Sequence, residues 1–190
     1  MNDRSGEKGR PEPERTVRTE PVFQGRLISL QVDTVELPGG KTATREIVRH
    51  PGAAAVLALH DDRLIVVEQY RKPLGKMQVE IPAGKLEPGE DPMETARREL
   101  EEETGWRAER LEPLYAFYTS PGFADEKLYL YAAHGLSRGS FAPDEDEHLN
   151  VDAITFEQAL SYIREGRISD AKTIMAVQAW RLQRLTGSFV

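Results

Sequence analysis

The tightest constraint on this chain lies between Gly84 and Trp106. Gly84 is followed by five residues, Glu90, seven more residues, and the run Arg98-Glu99-Leu100-Glu101-Glu102-Glu103-Thr104-Gly105-Trp106. The pattern reads as a loop feeding one helix. Asp91 can cap that helix, Pro92 suits its first turn, and Glu94 stands three residues past the cap, as in a capping box. Gly105 is a natural stop, because glycine readily takes the left-handed conformation that ends helices. Met93, Ala96 and Leu100 recur at helical spacing and are expected to face a core. Glu99, Glu102 and Glu103 then fall on neighbouring turns of one side. Crowded carboxylates repel unless a cation neutralises them, and Mg²⁺ is a hard cation that binds through oxygen. A Glu-rich helix is ordinarily just a solvated acidic face. Here the glycine-bearing loop at 81–90, suited to close backbone approach to a ligand, favours a metal platform.

The remaining composition bounds the function. At 190 residues the chain has room for one domain, or one domain with an arm. Its net charge of −7 argues against nonspecific binding to nucleic acid or an anionic membrane. A phosphate-rich ligand would therefore need metal ions or locally placed arginines. The absence of cysteine removes disulfides, thiolate nucleophiles and Cys-based zinc sites from consideration. The longest apolar run, 53–59, is far too short to span a bilayer, and the charged, Pro/Gly-rich residues 1–15 lack the apolar centre of a signal peptide. A cytoplasmic protein with a disordered leader at 1–15 is expected.

Along the chain, 16–50 reads as an N-terminal β arm, its antiparallel strands running from about residue 21. Ile28, Leu30 and Val32 alternate with polar residues, Pro38-Gly39-Gly40 turns the chain, and 42–48 can return beside it. Two or three strands are marginal alone, so the arm needs a surface to cover. A main domain follows over 51–190. Strands are expected at 53–59, 64–69, 77–81, 114–118, 128–132 and 151–154, with a hairpin turn at His60-Asp61-Asp62-Arg63. Thr155 with Gln158 predicts a capped helix ending at Gly166, and Asp170 opens a longer one to about residue 184. Strands and helices out of strict alternation indicate an α+β fold.

The spacing from Gly84 to Trp106 resembles the Nudix box, G-x5-E-x7-R-E-U-x-E-E-x-G-U with U apolar, and every specified position is filled. The resemblance implies an α/β/α sandwich with a mixed sheet, and metal-assisted cleavage of a nucleoside-linked diphosphate. Pro121, sixteen residues after Gly105, lies within Tyr118-Thr119-Ser120-Pro121-Gly122-Phe123-Ala124-Asp125-Glu126. That segment resembles the ADP-ribose pyrophosphatase branch, as do Gln69-Tyr70-Arg71, Asp170-Ala171-Lys172-Thr173 and the acidic loop beginning at Asp144. By this resemblance Glu99 and Glu103 are principal metal carboxylates, Ala83 lends its carbonyl to a metal, Glu102 supports the site, and Arg98 orients the helix carboxylates. Glu145 is the general base and Glu147 a further metal ligand, with an exchange of those two roles left open. Arg45 and Arg71 are candidates for phosphate or ribose contacts, joined by Lys85 and Ser120, and Glu126 for positioning substrate. Phe23, Tyr70 and Phe123 are candidates to stack on adenine. The implied reaction converts ADP-ribose to AMP and ribose 5-phosphate with Mg²⁺ or Mn²⁺, in a homodimer whose arms cross to the partner. Two rival readings are a hydrolase of a nucleotide-sugar or dinucleotide, and a non-catalytic ADP-ribose sensor.

Overall fold

Residues 53–60 show how the main sheet is built. Ala54, Val56 and Ala58 join one apolar cluster, while Ala55 and Leu57 join another, so this strand is buried on both faces. The computed structural model describes residues 13–142 and 148–190. Contacts divide them into two units: residues up to His50 with Gly122–Ala124, and Pro51–Pro121 with Asp125–Val190.

The first unit is a three-stranded antiparallel sheet in the order β1 (Arg15–Gln24), β2 (Ser29–Glu36), β3 (Thr42–Arg49). β1 starts six residues before Pro21, where the sequence reading began the arm's strands. Register shifts flank Val17 and Val22, which lets a proline-containing strand stay paired. The alternating stretch around Val32 continues through Val35 as a single strand, β2, closed to β3 by the glycine turn in which the Leu37 N–H donates to the Lys41 carbonyl at 2.8 Å. Gly122–Ala124 belongs to this unit, because the Val48 N–H donates to the Phe123 carbonyl at 2.8 Å.

The second unit has a seven-stranded mixed sheet. Its main path runs β10 (Asn150–Ile154), β5 (Arg63–Arg71), β4 (Ala53–His60), β9 (Lys127–Arg138), β8 (Trp106–Tyr118), with β6 (Lys76–Glu80) on β5 and β7 (Ala83–Lys85) on β4. Among the described strand pairs of this sheet, only β4–β9 is parallel. The β4–β5 hairpin turns through Asp61 and Asp62 at φ 49° and 54°, a left-handed pair that suits the twist of a tight hairpin. α1 (Pro92–Thr104) covers one face through Ala96 and Leu100, and α2 (Phe156–Glu165) with α3 (Ala171–Thr186) covers the other through Ala159, Ala176, Val177 and Trp180. These are the α+β class, the α/β/α layering and the mixed sheet that the sequence and its resemblance implied.

In the main sheet β9 runs on to Arg138, past the expected 132, and β8 and β7 differ more. β8 begins at Trp106, not near 114: its charged residues hid an edge strand whose inward Trp106, Ala108 and Leu111 are buried, and Pro113 sits at a bulge. β7, three residues long with a glycine, carried no periodic signal. Among the described residues no helix is long and apolar enough to cross a membrane.

Candidate active site

The box helix α1 is fixed at both ends by its own residues. The Asp91 side chain accepts from the Met93 N–H at 2.8 Å, Pro92 opens the first turn, and Gly105 closes the helix at φ 69°. Glu94 does not complete a capping box; it turns to Arg97, one turn along, at 3.7 Å. Fully buried Ala96 and Leu100 seat the helix on β4 and β8, which rolls Glu99 and Glu103 towards β7.

That placement buries two carboxylates. Glu103 is 1% exposed, and its Oε2 accepts the Ala83 N–H at 2.9 Å. Glu99 is also buried and lies against Gly84 so closely that a Cβ built there would stand 1.8 Å from its Oε1. The glycine that opens the box is therefore required by space and not by backbone conformation, since its φ is not left-handed.

Arg98 organises the outer side. Its Nη1 donates to Glu99 at 2.8 Å and to Glu102 at 3.0 Å, while Nε and Nη2 both reach Glu90 at 3.2 Å. Those hydrogen bonds from Arg98 are the main reason that the Glu90 carboxyl is pulled down to about 2. The guanidinium is raised in turn, first by Glu90.

The three helix glutamates are therefore not equivalent in their contacts: Glu103 meets the Ala83 N–H, whereas Glu99 and Glu102 share Arg98. Among the described residues no three His, Asp or Glu side chains converge as a metal-holding group. The cation that relieves crowding between Glu99 and Glu102 is Arg98 itself. Glu99, Glu103 and the backbone carbonyl of Ala83 are oxygen donors of the kind that hard divalent cations take, and the missing Gly84 side chain leaves room for the Glu99 carboxylate.

Other expected residues are placed as follows. Arg71, at the end of β5, donates from Nε and Nη2 to the buried Glu80 at 2.7 Å each, and this pairing chiefly raises its guanidinium, with Glu103 contributing. Lys85 is exposed at the end of β7. Ser120 is half-buried in the 119–126 loop, which closes where the Glu126 carboxylate accepts the Thr119 hydroxyl at 2.5 Å. Arg45 belongs to the arm unit, where it donates to Glu14 at 2.9 Å and to the Thr44 carbonyl at 2.9 Å. Glu145 and Glu147 lie outside the described residues.

Sequence reasoning assigned nothing to Glu80, the partner of Arg71, although a carboxylate between apolar Val79 and Ile81 was a visible signal. Lys172, which also contacts Glu80, was noted only within a family-like segment.

This site sits inside a recognisable domain. Residues 48–177 match the NUDIX domain. The chain belongs to the Nudix family. Residues 14–48 match the nucleoside diphosphate sugar hydrolase N-terminal domain. Among similar proteins, a methanol dehydrogenase activator of Bacillus methanolicus is 58% identical over 173 residues, covering 90% of this chain and 94% of that protein. An ADP-ribose pyrophosphatase of Bacillus subtilis (strain 168) is 51% identical with the same coverage. Another ADP-ribose pyrophosphatase, of Mycobacterium tuberculosis, is 36% identical over 86% of this chain and 81% of its own. The crystal structure of an ADP compounds hydrolase superposes with a TM-score of 0.82 at 22% identity, over 94% of this chain and 98% of that one, which shows the shared fold. Nudix hydrolases generally use divalent metals.

Proposed function

We propose that this Nudix hydrolase cleaves the diphosphate of ADP-ribose to AMP and ribose 5-phosphate. The observation that carries the reading is the seating of buried Glu99 and Glu103 against the Gly84 loop, in a chain 51% identical to an ADP-ribose pyrophosphatase along nearly its whole length. Glu99, Glu103 and the Ala83 carbonyl would hold the divalent ions, Mg²⁺ or Mn²⁺, with Glu147 adding a ligand. Bound there, such an ion supplies neutralisation of phosphoryl charge and a more acidic water.

The chain's own groups do the rest. Arg98 orients Glu99 and Glu102 through its Nη1 hydrogen bonds. Glu145 takes the proton of the attacking water, a step usually worth about 10² to 10⁴ in rate. Arg45, Arg71 and Lys85 offer cations to the diphosphate, while Ser120 and Glu126 position the ribose side. No covalent enzyme intermediate is needed.

The working form in this proposal is a cytoplasmic homodimer with exchanged arms. β1 is exposed along its whole length, and Val17, Val22 and Phe23 are each more than half exposed, an apolar surface that a second subunit would cover. A substrate panel with Mg²⁺ and Mn²⁺, resolved by product, tests the assignment. AMP from ADP-ribose is expected, and preferential cleavage of a nucleotide-sugar or dinucleotide would replace it.

A second reading is favoured by the 58% identity to a methanol dehydrogenase activator: that the chain stimulates a partner dehydrogenase. Methanol oxidation by such a dehydrogenase, measured with and without this protein, decides it.

A further inference from the structure

The first turn of α3 carries a lysine where a helix least favours one. Lys172 is the second residue of the helix, at the end whose exposed N–H groups repel cations. Its side chain is only 11% exposed and is held by two anions, Asp170 Oδ1 at 3.0 Å and Glu80 Oε2. Glu80 is itself buried, and the same Oε2 also accepts from Arg71 Nη2. Both oxygens of Glu80 are thus engaged by one edge of the Arg71 guanidinium, through Nε and Nη2. The planar fork fixes the opposite Nη1 edge to face away from Glu80, on a side chain that is 38% exposed.

The same helical turn also holds the backbone beside Glu80. The Thr173 hydroxyl accepts the Ile81 N–H at 3.0 Å, and Asp170 Oδ1 accepts the Thr173 N–H at 3.0 Å. Two further residues along the chain is Ala83, which donates to Glu103. Burial would push the Glu80 carboxyl up, but Arg71 and Lys172 together bring it below its ordinary value and keep it ionised.

Buried ion pairs of this kind are poor sources of net stability, because desolvation offsets the attraction; holding one geometry is their better-attested use. The charges agree with that use. Arg71 and Lys172 balance Glu80 and Asp170, with Glu103 a further anion acting on Arg71, and one guanidinium edge is turned outward. Without the lysine one more negative charge is left unbalanced.

We propose that Lys172 is a positioning residue: by clamping Glu80 from α3 it sets the direction in which Arg71 presents its outward N–H groups to a phosphate-bearing ligand. The inference rests on the diphosphate reading above, and its test separates the two. Lys172→Met, Lys172→Arg, Arg71→Ala and the Lys172→Met/Arg71→Ala double variant are compared in equilibrium binding of inorganic pyrophosphate and in Mg²⁺-dependent turnover of ADP-ribose.

Lys172→Met is expected to weaken pyrophosphate binding and raise KM by about tenfold, the lower end of what losing a supporting partner costs at a metal site, with kcat changed less than about threefold. In the Arg71→Ala background it should add nothing, and Lys172→Arg should restore most of the loss. Additive effects, an unchanged KM with only a lowered melting temperature, or no pyrophosphate binding by the unaltered protein would overturn the proposal. If Lys172→Met does not fold, Lys172→Gln replaces it, and failure of both to fold assigns Lys172 to stability and ends the proposal. Intact pyrophosphate coupling without ADP-ribose cleavage would sink the substrate reading alone.

Discussion

Substituting Gly84 by alanine is the most direct probe of the carboxylate seat. The new methyl would lie 1.9 Å from the Glu99 Cδ, 1.8 Å from Oε1 and 2.5 Å from Oε2. Ordinary carbon–carbon contact is about 3.5 Å, so the carboxylate must retreat by roughly 1.5 Å. The backbone imposes no separate penalty, since Gly84 does not occupy the left-handed region. The obstacle is also the far end of a flexible side chain, so the fold can accommodate it and the melting temperature should shift little. The site cannot. Displacing a catalytic group by about 1 Å can cost about 10² in rate, or roughly 2.7 kcal/mol of transition-state stabilisation. Gly84→Ala should therefore lower kcat by about 10²-fold or more and move the Mg²⁺ titration to higher concentration. Steady-state kinetics over a metal series, with thermal unfolding alongside, measures both. Wild-type turnover and an unshifted metal curve would show that Glu99 is not held at the metal by this contact.

Other consequences can be checked independently. Glu103→Gln keeps an oxygen for the Ala83 N–H but loses its charge, so the Mg²⁺ requirement should rise by at least about tenfold with little change in melting temperature; an identical titration would remove Glu103 from the ligands. Glu145→Gln should cut kcat by about 10² to 10⁴ while KM stays nearly constant, and a variant of normal turnover would pass the role of base to Glu147. The Glu90 carboxyl is lowered from 4.5 to about 2, so its pairing with Arg98 stabilises the fold fully above about 4.5 and is lost as pH falls through about 2. Glu90→Gln should accordingly flatten the dependence of urea stability on pH in that window, and parallel curves would contradict the assignment. A protein starting near Pro51 should be monomeric by light scattering and poorly active; a fully active monomer would refute the crossing arm.

Much of this molecule was written locally. Asp91, Pro92 and Gly105 bound the box helix because capping depends on residues within one turn of each other, and Thr155 with Gln158 forms the reciprocal cap before α2 for the same reason. β4 and β5 announced themselves by apolar content, whereas β8 hid its first half behind exposed charges, and β7 was too short to show a period. Sequence spacing alone put Glu99 and Glu103 on one side of a helix, but could not say that Arg98 would bridge Glu99 to Glu102, because i,i+1 and i,i+4 partners compete and rotamers decide.

What the residue order determined, then, was the set of elements, their caps and the family-like carboxylate spacing, all features that act over a few neighbouring residues. Tertiary structure alone decided that Gly84 makes room for Glu99, that Ala83 donates to Glu103, and that Lys172 joins Arg71 on Glu80 from 92 residues away. Such contacts depend on which strand lies beside which helix end, and local propensity carries no information about that.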